Sequence, residues 1–142
     1  MRKFLTASLA GGALLLAAAC SSGEPDAEPA MELGAGGGGA MASCMAFDPA
    51  VLRDMPVAFE GTATDVDGER VTLEVDHWYQ GGNGDRVVLI ASEGLEALIG
   101  GITFEEGETY LISASTGHVR YCGYSGEATD ELRAGFEAAF GE

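Results

Sequence analysis

The 142-residue chain is short of positive charge: seven lysines and arginines stand against 23 aspartates and glutamates, for a net charge of −16, and Lys3 is the only lysine. A surface of that sign repels phosphate backbones and anionic lipid headgroups, which excludes nucleic acid as a partner and leaves no basic patch for membrane attachment. Residues that ligate metals or attack substrates are scarce too. There are three cysteines and two histidines, His77 and His118; neither histidine has an HExxH or Cys-x-x-Cys neighbourhood, and no serine stands in a GxSxG elbow. The chain therefore reads as a non-enzyme with no cofactor. The run Gly36 to Gly39 has no strand leading in and no GK[ST] after it, so it is not a phosphate loop. The apolar run from Phe4 to Ala19 falls short of the roughly 20 residues that span a bilayer.

That run is informative in another way. It follows Met1-Arg-Lys3 and ends in small residues, as a secretory signal does. Its last stretch, Leu14-Leu-Leu-Ala-Ala-Ala-Cys20, is followed at once by Ser21-Ser-Gly23 and resembles the lipobox of bacterial lipoproteins. One position departs: Ala17 stands where leucine is usual, with Leu16 one step earlier. The resemblance implies that residues 1–19 are a signal peptide, and that Cys20 becomes the first mature residue and carries a diacylglyceryl group with its palmitate-type chains. The domain would then be exported and lipid-anchored to the bacterial cell membrane or envelope. The alternative is a plain secretory signal that leaves Cys20 a free thiol. Loss of residues 1–19 leaves five arginines and all 23 carboxylates, a net charge of −18. Residues 20–41 are mostly Gly, Ala, Glu, Pro and Ser, with little to bury, and read as a disordered linker with a span of about 25 Å.

Residues 42–142 are enough for one modest core. Their centre is Val71 to Gly81, where Val71, Leu73, Val75, His77 and Tyr79 alternate with Thr72, Glu74, Asp76, Trp78 and Gln80, the pattern of a half-buried strand. It is entered through the turn Asp65-Val-Asp-Gly68 after an alternating run Val57 to Val66, and left through Gly81-Gly-Asn-Gly84 before Val87 to Ala91. Gly61 marks a bulge or bend in the first of these strands. Two further strands are expected at Thr109 to Ala114 and His118 to Cys122, and a short helix around Leu95 to Ile99. Asp48 and Pro49 start another short helix. Thr129 caps a terminal helix that carries Asp130 and Glu131 in its first turn and a stripe of Leu132, Phe136 and Phe140 that packs on the sheet. The fold expected is mainly β: a five-stranded antiparallel barrel of the oligonucleotide/oligosaccharide-binding type with a C-terminal helix.

In chain order, Ser43-Cys44, Phe59-Glu-Gly61, Tyr79-Gln-Gly81, Phe104-x-x-Gly107-x-x-Tyr110-Leu111 and a late Cys122 resemble the netrin-like domains of tissue inhibitors of metalloproteinases and their bacterial relatives. Where that family has two further cysteines, this chain has Ala42 and about Gly100, so both halves of one bridge are missing together. The remaining pair, Cys44 and Cys122, is then a disulfide in an exported domain, the alternative being two buried thiols. Inhibition in the animal members uses a free N-terminal cysteine that chelates the protease zinc; Ala42 at the matching position implies that this mechanism is absent.

Two candidate contacts remain. Alternation turns Trp78 away from Tyr79, so Trp78 lies either under the terminal helix or exposed as a contact for a protein or glycan partner. A metal site joining Asp76, His77 and His118 requires their strands to be neighbours. Asp65-Val-Asp-Gly-Glu69 resembles the start of a calcium loop but lacks the third Asp/Asn and the distant Glu, and Asp67-Gly68 reads as a hairpin turn instead. The function expected is a lipid-anchored, non-catalytic binding or adaptor module, with a metal-binding envelope domain as the alternative. The anchor is tested directly: Cys20→Ala is expected to block acylation and processing, and mass spectrometry of the mature protein is expected to find lipid on Cys20.

Overall fold

A computed structural model describes residues 30–35, 44, 46–91 and 102–141. Its strands are β1 (Met31–Gly34), β2 (Val57–Asp67), β3 (Arg70–Gln80), β4 (Arg86–Ile90), β5 (Thr109–Ser115), β6 (His118–Val119) and β7 (Gly126–Glu127). Its helices are α1 (Pro49–Arg53) and α2 (Asp130–Phe140). The order β2-β3-β4-β1-β6-β5 returns to β2 through a β2–β5 pairing, so six strands close a barrel, and β7 pairs on β5 outside the ring.

The architecture is mainly β with a C-terminal helix, as expected, but the ring holds six strands and not five. The extra one is β1, from the stretch read as linker. It runs parallel to β4, from Met31 opposite Val87 to Gly34 opposite Ile90, and parallel to β6 through Gly34 and His118. Met31-Glu-Leu33 is too short to show a period against the Gly, Ala and Pro around it, and its stabilisation is wholly tertiary. Leu33 is only 3% exposed, Ala35 is fully buried, and Gly34 and Ala35 donate their N–H groups to the carbonyls of Gly117 and Ile90 at 2.8 and 2.7 Å.

Strand alternation makes two cores. Phe59 and Ala63 on β2, Val71 and Leu73 on β3, Leu89 on β4 and Ile112 on β5 fill the barrel. Ala58 and Leu111 face out from β2 and β5 and are covered by Leu52 and Met55 from the α1 region and Phe136 and Ala139 of α2. The helices start as their sequences require. The Asp48 side chain accepts from Ala50 N–H at 2.8 Å with Pro49 at the first position, and Thr129 Oγ1 accepts from Leu132 N–H at 3.3 Å. Arg53 donates from Nε to the Ala139 carbonyl and from Nη2 to that of Ala138 at 3.2 Å. A cation thus sits where the last carbonyls of α2 are unpaired, joining the two helices. Among the described residues no helix is long and apolar enough to cross a membrane.

The pairing of β3 with β2 slips at Asp76 and again at Tyr79, and the first slip changes what the aromatic end of β3 does. Glu60 pairs with His77 and Gly61 with Val75, leaving Asp76 unpaired as a bulge. A side chain at Gly61 would put its Cβ 2.7 Å from the Glu74 carbonyl, so the close approach needs glycine, as the bend expected there suggested. Val71, Leu73 and Val75 face the barrel core, but beyond the bulge the parity reverses: Trp78 joins that core, whereas Tyr79 turns outward under Phe136 and Phe140.

Cys44 and Cys122 form a disulfide with Cα atoms 5.2 Å apart, 78 positions apart in sequence. A loop of that length contributes about 4 kcal/mol in the chain-entropy account. Reduction, or Cys122→Ser, is therefore expected to lower Tm by on the order of 15 °C or more, at about 4–8 °C per kcal/mol. If β1 is part of the fold, Leu33→Ala is expected to cost about 2–4 kcal/mol in chemical denaturation, whereas a residue in an unstructured linker would cost nothing measurable.

Candidate functional site

Among the described residues, apolar side chains from every strand of the ring pack into the barrel interior, and the surface that remains open lies outside it. The ring order separates the two histidines: His77 is on β3 and His118 on β6, three strands apart in either direction. Their strands are not neighbours, which removes the geometric basis for a shared metal site with Asp76. The Asp76 carboxylate accepts instead from Thr62 Oγ1 at 2.8 Å, and the His77 ring meets the edge of Tyr79 with centroids 4.5 Å apart. Among the described residues no three of His, Cys, Asp and Glu gather at ligand spacing. Asp65 to Glu69 is a hairpin turn: Asp67 pairs with Arg70 around Gly68, whose φ is +54°.

Trp78 lies in neither of its two expected places. Its ring packs on Phe59 with centroids 5.0 Å apart, and its Nε1–H donates to the Gly84 carbonyl at 2.6 Å. The loop after β3 folds over the indole so closely that a Cβ at Gly82 would lie 2.3 Å from it. Trp78 is half-buried, and its one polar group is already satisfied. The outward Tyr79 sits between α2 and Glu60; burial first, and the Glu60 charge second, push its hydroxyl above the ordinary phenol range. Glu60 accepts from Arg133 Nη1, an ion pair that ties α2 to β2.

An open surface among the described residues lies at the other end of α2. A surface groove of about 330 Å³ is lined by Phe47, Gly123, Thr129, Glu131, Leu132 and Gly135. Phe47, 38% exposed, is the large hydrophobic residue left uncovered among the described residues. Its ring is held on one side by Tyr124, with centroids 5.2 Å apart, and on the other by Gly135, where a Cβ would come within 2.7 Å of it. Tyr124 is itself fixed: its hydroxyl accepts from Asp48 N–H at 3.1 Å and donates to the Ala46 carbonyl at 3.2 Å. Cys122 and Gly123 follow one another at φ +62° and +87°, so the chain turns sharply at the disulfide and forms one wall. The groove thus has an apolar floor, rigid sides and a carboxylate at its rim, a shape suited to one apolar side chain of a partner.

Three separate segments build this groove, and no local pattern announces it. The available signal was Gly135, because a glycine inside an exposed helix costs about 1 kcal/mol against alanine and calls for a packing reason. No protein-family model matches the chain, and no curated protein matches it.

Calcium is expected to act on this protein only as a weak screening ion, since its carboxylates are spread along the sequence and those among the described residues are not gathered into a coordination shell. Calorimetric titration checks this, and stoichiometric binding tighter than about 10⁻⁵ M, the range of sensor-type sites, would overturn it.

Proposed function

We propose that this protein is a lipid-anchored, non-catalytic binding module of the bacterial cell envelope, and that the Phe47–Leu132–Gly135 groove takes an apolar side chain from a basic segment of a partner protein. The groove beside an uncovered phenylalanine carries this reading, since among the described residues it is where a large apolar side chain meets an open surface. Charge selects the partner: Glu131 lies in the groove wall and the mature chain has a net charge of −18 from five arginines and 23 carboxylates. The lipobox-like Ala19-Cys20 supports the anchor. The closed barrel, the C-terminal helix and the Cys44–Cys122 bridge are compatible with the netrin-like resemblance, and Ala42 argues against metalloprotease inhibition of the kind found in tissue inhibitors. Because β1 begins at Met31, ten residues separate it from Cys20. Ten residues reach at most about 35 Å even when fully extended, so an anchored Cys20 would keep the barrel within that distance of the membrane.

The experiment is a titration of isotope-labelled protein beginning at Ser21, which keeps β1, with a peptide carrying phenylalanine between arginines. The amide signals of Gly123, Leu132 and Gly135 are expected to shift. Phe47→Ser is expected to weaken binding roughly tenfold or more, the worth of one apolar contact, and to lower Tm by several degrees through its lost packing on Tyr124 without unfolding the domain. Unmoved groove signals, or equal affinity in Phe47→Ser, would overturn the groove assignment.

A further inference from the structure

The seam between β4 and β6 is shaped for one short sequence. These two strands do not pair with each other, and β1 fills the gap between them. Leu33 plugs the barrel interior. A Cβ at Gly34 would stand 2.4 Å from Nδ1 of His118, so a side chain there would have to displace that imidazole. Ala35 is fully buried, donates its N–H to Ile90 and accepts from the Tyr121 hydroxyl. Leu-Gly-Ala occurs once in the chain, at residues 33–35. The same three residues of a second copy meet these conditions equally well.

The attachment of β1 allows it to leave without unravelling the rest. It is four residues long, with a full register on β4 and a single residue pair on β6. Behind it, Cys44 is fastened to Cys122, so α1 and everything after it stay in place when β1 departs. Residues 36–43 lie between Ala35 and Cys44, and a chain of that length reaches about 30 Å when extended, enough to enter an adjacent barrel. The vacated edge of β4 is a template for strand pairing. We propose that β1 exchanges between copies, each barrel being closed by Met31 to Ala35 of its neighbour in a two-fold dimer. Anchoring in one membrane would raise the effective concentration of neighbours, which rests on the anchor assignment; the exchange itself does not.

Glu32 on β1 and Arg70 on β3 provide the test, since their charged groups lie 3.9 Å apart over the intervening β4 and both side chains are more than half exposed. Full-length chains carrying Glu32→Cys and, separately, Arg70→Cys are produced together with different tags and treated with a short bis-maleimide. Exchange is expected to join residue 32 of one copy to residue 70 of the other, roughly tenfold above the yield when Gly34→Val is added to the first copy to block entry beside His118. Cross-copy joining no higher than in that control, while the double variant Glu32→Cys/Arg70→Cys joins within one chain, would overturn the proposal. The same digest reads acylation at Cys20, so failure of the anchor and failure of the exchange are seen separately.

Discussion

A barrel is closed only when each strand finds a hydrogen-bonding neighbour on both sides, and here that condition falls on the four residues of β1. Five of the strands form a sheet that runs from β4 through β3, β2 and β5 to β6, leaving β4 and β6 apart. The hairpins β2–β3, β3–β4 and β5–β6, together with the longer-range antiparallel pairing of β2 with β5, bring the chain this far. The final seam needs a strand parallel to both edges, and a parallel partner cannot be supplied by a tight turn. The N-terminal segment supplies it from a distance of more than fifty positions, Met31 lying opposite Val87. Leu33 then completes the interior that Val87, Leu89 and Val119 would otherwise leave open to water.

The second constraint is one of parity. A strand with strict alternation through Tyr79 would send Trp78 outward and Tyr79 inward. The unpaired Asp76 reverses this and sorts the two aromatics into the two cores, Trp78 against Phe59 in the barrel and Tyr79 against α2. The bulge therefore decides where the terminal helix can sit. Gly61 makes it possible, since any side chain there would press on the Glu74 carbonyl. One glycine on β2 thus governs the facing of side chains on β3.

Features encoded over a few residues were legible in the chain: the Asp48-Pro49 and Thr129 helix starts, the Leu132–Phe136–Phe140 stripe, the turn at Gly68 and the runs that became β2 to β5. Their physics is local, in caps, periodicity and turn conformation. The expected strand to Cys122 shortens to His118–Val119, because the chain enters left-handed conformations at Cys122 and Gly123 to reach Cys44. What escaped was nonlocal. β1 has almost no pattern of its own, the reversal of Trp78 depends on the partner strand, and the groove gathers Phe47, Gly123 and Gly135 from segments far apart in sequence. The helix expected around Leu95 to Ile99 lies outside the described residues.

The scarcity of positive charge acquires a structural meaning once the arginines are placed. Arg53 caps the end of α2, Arg133 binds Glu60, and Arg70 on β3 reaches Glu32 on β1 over β4. Three of the five arginines left after residue 19 are thus engaged in joining one element to another. Neutralisation is local, and the remaining carboxylates act together at long range. Such a field hastens the approach of a basic partner and slows that of an acidic one, and it weakens as salt shortens the screening length to about 8 Å at physiological ionic strength. Contact with the Phe47 ring is apolar and little affected by salt. Association at the groove should therefore separate into a salt-sensitive approach set by the acidic surface and a salt-insensitive lifetime set by the ring, which is how electrostatic steering and apolar burial divide their effects in protein recognition.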